Sequence, residues 1–203
     1  ARGGLMVSHH DAGSMTPVWD LFVRAFHWIL VVAFAVAYFS EGEPMWLHAW
    51  AGYFIGALVV ARVVWGLIGP ATARFSHFVT HPREVVAYLK ALPRGRAKRH
   101  LGHSPAGGAM TIALLVGLLL TVGSGMAMLA LESAKGPLAP YLAGVEGGIW
   151  IWPWVDVAYG LHEACVSLIS MPIIVHLAAV TLASFMHREN LVAAMWHGRK
   201  RVQ

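Results

Sequence analysis

The chain has a single cysteine, Cys165, among its 203 residues. That excludes an intrachain disulfide, a cysteine-held iron–sulfur cluster and a thioether-linked haem, which needs C-x-x-C-H. Charge is scarce too. Only 12% of residues are Asp, Glu, Lys or Arg, against about 25% in an ordinary soluble domain, while 58% are hydrophobic and mean hydropathy is +0.61. Carboxylates are missing from the middle of the apolar stretches; Asp20 and Glu163 stand only near their ends. A proton-relay transporter wants Asp or Glu inside the membrane, and a carboxylate- or thiolate-bound metal site wants such partners at depth, so both classes are disfavoured.

What the chain has is apolar length. Four runs, about 18–39, 47–68, 106–131 and 159–186, each approach or exceed the roughly 20 residues that cross a bilayer. The first is too long for a signal-peptide core and carries Trp19, Phe26, His27 and Trp28, so it reads as a first transmembrane helix. Charge placement orients the runs. Arg74, Arg83, Lys90, Arg94, Arg96, Lys98 and Arg99 separate runs two and three, and Arg188, Arg199, Lys200 and Arg201 follow run four. Glu41 and Glu43 follow run one, and Glu132, Glu146 and Asp156 outnumber Lys135 before run four. Basic residues mark the cytoplasmic side, so both termini are expected there. The net charge of +5 then reports topology, with attraction to anionic lipid as a side effect, and argues for no nucleic-acid partner.

Residues 1–17 read as a flexible lead, 18–198 as one transmembrane domain and 199–203 as a basic tail. HPREVVAYLKAL predicts an interfacial helix over about 82–92, with Pro82 at its first position and His81 or Thr80 as cap. His77, His81, His100 and His103 in this basic region read as solvated or interfacial. The outer loop 132–158 is rich in Pro and Gly; its Trp150, Trp152 and Trp154 suit an aromatic belt or a docking surface for a redox partner.

Four histidines carry the chemistry. His162 and His176 lie fourteen residues apart on run four, a rise of about 21 Å and a return to within about 40° of the same face. His48, in the first turn of run two, matches the outer depth of His162. His27, some nine residues into run one, matches the inner depth of His176. Ionisable residues are costly inside a membrane and mark functional sites. Two stacked bis-histidine sites suit two b-type haems, whose iron takes an imidazole on each axial side, an arrangement fitted to electron transfer. Arg62, fourteen residues after His48, and Arg24, three before His27, are candidate partners for the propionates of the inner haem, with snorkelling as the alternative for Arg62. Gly52, Gly56, Gly117, Gly123 and Gly125 allow either close helix contact or room for a flat macrocycle.

The segments RAFHW, LHAWAGY, GHSPAGGAM and LHEACVSLISMPIIVHLAAVTLASFMHRENLVAAM, in that order, resemble the bacterial cytochrome b-561 family, which includes the b-type membrane subunit of nickel–iron hydrogenases. The resemblance spans about residues 17–200 and implies an all-α integral membrane protein of the bacterial inner membrane, a four-helix bundle binding two haems b. Carried over by position, the axial ligands are His27, His48, His162 and His176, and His187 in MHREN is a candidate quinone-side or haem-edge residue. The implied function is electron transfer between a quinone pool and a periplasmic redox protein, hydrogenase-like or a c-type cytochrome, docking on loop 132–158, with room for a homodimer. The rival readings are a superoxide–quinone oxidoreductase acting without a partner, which the acidic outer loops disfavour, and a non-redox transporter.

Overall fold

The computed structural model describes residues 15–41, 44–142, 152–186 and 189–201. Four long helices dominate: α1 (Leu21–Phe39), α2 (Met45–Ile68), α5 (Pro105–Ser133) and α7 (Trp152–Met186). All four are long and apolar enough to cross a membrane. Between α2 and α5 lie the short α3 (Phe75–Phe78), then α4 (Pro82–Ala91), which ends in a 3-10 turn over Leu92–Arg94. The short α6 (Ala139–Leu142) follows α5, and α8 (Leu191–His197) follows α7.

Local chemistry sets the boundaries. Asp20 caps α1 by accepting from Val23 N at 3.0 Å, Ser104 caps α5 ahead of Pro105, and Asn190 caps α8. His81 caps α4 by accepting from Arg83 N, as its position before Pro82 suggests. Gly198 ends α8 at φ 79°, a left-handed conformation that glycine adopts without strain.

Helix α1 packs on α2, α2 on α5, and α5 on α7. Small residues draw the backbones together: Ala33 and Ala37 of α1 and Ala51 of α2 are buried with Ile55, Val59, Leu115, Leu118 and Ile169. Gly117 lies against the Ile169 side chain, where a Cβ would collide, and Gly56 lies against Val122. Much of the outward surface is apolar, with Val32, Trp50, Leu120, Leu168 and Phe185 all well exposed. In water such a surface would drive aggregation; in a bilayer it faces lipid. On α4, Val86 and Leu89 are exposed beside Arg83 and Lys90, as suits a helix lying at the interface.

Three sequence expectations change. The lead is not free up to residue 17: Met15–Pro17 (β1) pairs antiparallel with Arg199–Arg201 (β2), which also takes part of the basic tail into structure. That pairing joins opposite ends of the chain, a contact no local pattern announces. Helix α7 begins at Trp152, not near Tyr159, because Pro153 falls in its first turn, where a missing N–H costs nothing. Its 35 residues span about 52 Å, well beyond the roughly 30 Å hydrocarbon core. His162 therefore stands about three turns into the helix, and the outer loop is shorter than expected. Residues 1–14 of the lead and 143–151 of that loop, Trp150 included, lie outside the described residues.

The bundle has two chemically distinct ends. One carries the α2–α5 connection, the strand pair and α8, and is basic. The other carries Glu41, Glu132, Asp156 and Glu163 against Lys135 among the described residues.

Candidate functional site

At the acidic end the structure brings His48 of α2 and His162 of α7 together, ring centroids 6.2 Å apart and planes at 89°. Each ring is anchored through Nδ1. Helix α1 stops at Phe39, so its last carbonyls have no donor four residues on. The Ala37 carbonyl instead accepts from His48 Nδ1 at 2.8 Å. A carbonyl can only accept, so Nδ1 carries the proton and Nε2 keeps its lone pair. His162 Nδ1 is 3.0 Å from Ser124 Oγ, whose own hydrogen goes to the Thr121 carbonyl at 2.9 Å. Ser124 therefore accepts from His162, and again Nε2 is left free. An outer partner that fixes tautomer and ring orientation in this way is the usual support of a metal-binding imidazole.

These rings flank a cavity of about 540 Å³, also lined by Gly52, Val122 and Gly125 and rimmed by Tyr38, Glu41, Tyr159 and Glu163. That volume falls within the range of about 300–1,000 Å³ typical of cofactor sites. A Cβ on Gly52 would meet nothing within 4 Å, whereas one on Gly125 would come 3.0 Å from His162 Cε1. Gly52 leaves space and Gly125 lets the His162 ring approach α5 closely, so the glycines divide between the two sequence readings. On the rim, Tyr159 donates to Glu132 at 2.9 Å.

Toward the basic end, His27 of α1 and His176 of α7 are half-buried and within electrostatic reach of one another. The fourteen-residue step runs unbroken through Pro172. His27 packs edge-on to Trp28, and Trp28 to Trp196 of α8, at centroid distances of 5.0 and 5.7 Å. The buried His27 Nδ1 has no hydrogen-bond partner.

Arg62 is 2% exposed. Its Nη2 donates to the Ala73 carbonyl at 3.3 Å, its guanidinium lies 5.1 Å from the Phe75 ring centroid, and its buried Nη1 has no partner. The side chain does not snorkel into water. Arg24 Nη1 donates to the Trp196 carbonyl at 2.6 Å and ties α1 to α8, while its Nε is buried without a partner. His187 lies outside the described residues.

Of the basic-region histidines, His77 and His81 are exposed as expected, and His103 is not. His103 stacks on Phe78 at 4.1 Å and meets Trp19 edge-on at 4.6 Å. Burial, with the nearby charges of Arg62 and Lys200, lowers its pKa to about 4. Lys200 is itself lowered, first by burial, with Arg99 adding to the effect and Glu189 opposing it. An aromatic clamp built from three separated segments left no mark in the sequence around His103. The anchors of the acidic pair, Ser124 and the Ala37 carbonyl, were also missed; only the presence of serine and threonine in an otherwise apolar helix hinted at the first.

The acidic site fits a haem. With a metal–nitrogen bond of about 2 Å and a ring radius of about 1.1 Å, an iron held by two imidazoles separates their centroids by about 6 Å. The observed separation is 6.2 Å, with both Nε2 atoms free and a cavity between. The basic site offers two imidazoles, the buried guanidinium of Arg62 and the half-buried one of Arg24, each arginine with a buried unused N–H, the chemistry that an iron with anionic side arms demands.

A comparison with protein families matches residues 18–198 to the family described as prokaryotic cytochrome b561. Among curated proteins no match was found. The chain belongs to the prokaryotic cytochrome b561 family: it is a multi-pass bacterial membrane protein that transfers electrons across the membrane by means of haem b.

Proposed function

We propose that this cytochrome b561 binds two haems b, one between His48 and His162 and one between His27 and His176, and carries electrons between a quinone at its basic end and a redox protein at its acidic end. The observation that carries this reading is the anchored imidazole pair at the acidic end, repeated fourteen residues deeper along α7 by His176 opposite His27. When bound, haem supplies a reversible one-electron centre. The chain's own residues do the rest. Nδ1 anchoring fixes the tautomer and orientation of the acidic-end imidazoles and leaves each Nε2 to hold the iron. The apolar walls of the cavity exclude water.

Arg62 and Arg24 are the propionate partners in this reading. A buried N–H without an acceptor is costly until an anion meets it, and Arg62 Nη1 and Arg24 Nε are both of this kind, the Arg62 side chain buried and that of Arg24 half-buried. The basic end faces the cytoplasm of the inner membrane, as Arg74, Arg83, Lys90 and their neighbours argue. Quinone is read into the open cleft of about 430 Å³ at the junction of α7 and α8, lined by Thr181, Ser184, Phe185, Glu189 and Asn190. His187 belongs to this quinone side in the sequence. The acidic rim of the other site favours a cationic periplasmic redox protein over superoxide, which it repels, and that partner docks on the outer segment 132–158.

Haem quantification of the purified protein together with a spectroscopic redox titration tests the proposal. Two haems per chain and two one-electron potentials are expected; one haem per chain would overturn it.

A further inference from the structure

Apart from Arg99, whose partners include Glu189, every buried side-chain polar atom without a hydrogen-bond partner among the described residues lies in the basic half of the molecule. Asp20 Oδ2, Arg24 Nε, His27 Nδ1, Trp28 Nε1 and Arg62 Nη1 are among them. Buried polar groups in proteins are hydrogen-bonded to protein, ligand or internal water. The arginines have a use in the proposal above, since they are donors awaiting an anion. Asp20 does not: its Oδ2 is an acceptor, and a second anion would repel it.

Asp20 occupies a particular place. Its Oδ1 is engaged in capping α1, and Oδ2 is buried within electrostatic reach of Arg62 without forming an ion pair. Beside it, Trp19 packs on His103, and the backbone N–H groups of Val18 and Trp19 donate to the Gly198 carbonyl, so the joined chain ends close over this corner. The charged groups around it are Arg24 on its own helix, Arg62 of α2, and, beyond His103, Lys200 of β2. Of the other described carboxylates at this end, Glu84 is exposed on α4 and Glu189 is paired with Arg99. His27 lies seven residues further along α1, about 10 Å deeper. Arg24, four residues along α1, carries an unpartnered Nε between them, and its Nη1 reaches the Trp196 carbonyl of α8, the helix that borders the cleft, so buried water held by such groups would connect Asp20 with it.

We propose that Asp20 is the proton-exchanging carboxylate of the basic end, passing protons between the cytoplasm and the quinone through buried water. The inference rests on the reading that quinone reacts at this end. Reduction of one quinone to quinol takes two electrons, delivered singly through the protein, and two protons from the cytoplasm. Asp20 accepts each proton to become the acid and releases it inward, returning to carboxylate with no net change. Quinol oxidation runs the same route in reverse.

The test uses the full-length, haem-loaded protein, reduced with dithionite and mixed with a short-chain ubiquinone, following reoxidation at the α band. Asp20→Asn keeps the helix cap, because Asn caps as well as Asp, and removes the ionisable oxygen. The expected result is unchanged haem content, reoxidation slowed at least tenfold, and recovery of the rate on adding a small weak acid such as formate. Wild-type rates in Asp20→Asn would overturn the proposal. So would a slowed rate that no weak acid restores, which would mark a merely structural role. A wild-type protein that quinone cannot reoxidise would overturn the quinone reading itself, and this role with it.

Discussion

The two histidine pairs are supported in opposite ways. At the acidic end both Nδ1 atoms are already bonded, one to a carbonyl that the end of α1 leaves free and one to a serine that is itself oriented by Thr121. The site stands finished before any group enters it. At the basic end His27 Nδ1, Arg24 Nε and Arg62 Nη1 are buried and unused, and α8 and the paired chain ends close over them. The unused donors there suit a ligand with anionic arms, whereas the acidic-end rings are held by helix-to-helix hydrogen bonds.

The strongest way to break the contrast is Gly125→Val. A Cβ at this position comes 3.0 Å from the His162 ring, and the valine branches invade the cavity. Haem content should fall by half, with the basic-end haem retained; loss of both haems would show that the sites are not independent, and loss of neither that Gly125 does not shape the acidic site.

Acidification should act at the corner built around His103. His103 is buried neutral with its pKa lowered from the ordinary 6.5 to about 4. A histidine depressed in this way adds stability that is complete above pH 6.5 and is lost as pH falls toward 4, because the unfolded chain takes up the proton first. The loss amounts to about 2–3 kcal/mol. Thermal unfolding in detergent should show this decline between pH 6.5 and 4 in the wild type and lose most of it in His103→Phe, while the acidic-end spectrum holds.

Ser124→Ala removes one anchor from the finished site. Loss of such an outer partner weakens metal binding by about 10–100-fold, and the change should appear in haem retention at the acidic end only. Arg62→Gln should give the smallest effect. Removing a buried positive charge favours the oxidised centre, so the basic-end potential should fall by about 60 mV, the equivalent of tenfold for one electron, with the acidic-end potential unmoved.

The four spans were legible because bilayer thickness imposes a length on any apolar helix, and the histidine spacing was legible because helical periodicity fixes which residues share a face. What escaped depended on contacts between distant segments. The β1–β2 pairing joins residue 15 to residue 201, the His103 clamp draws on three separate stretches, and the Ser124 anchor matters only because α5 lies against α7. The start of α7 is hidden in the sequence because Pro153, a residue type that breaks helices elsewhere, begins one here. Arg62 was located by its spacing from His48, but its burial against Ala73 and Phe75 follows from how the connection after α2 folds back.

We read the four histidines as two fixed pairs, and haem quantification in single and double histidine-to-alanine variants is the decisive test. His48→Ala, His162→Ala and the two combined should each lose the same single haem, His27→Ala and His176→Ala should lose the other, and combining His48→Ala with His176→Ala should lose both. If the His48/His162 double variant loses both haems, or if combining His48→Ala with His176→Ala loses only one, the pairing is contradicted.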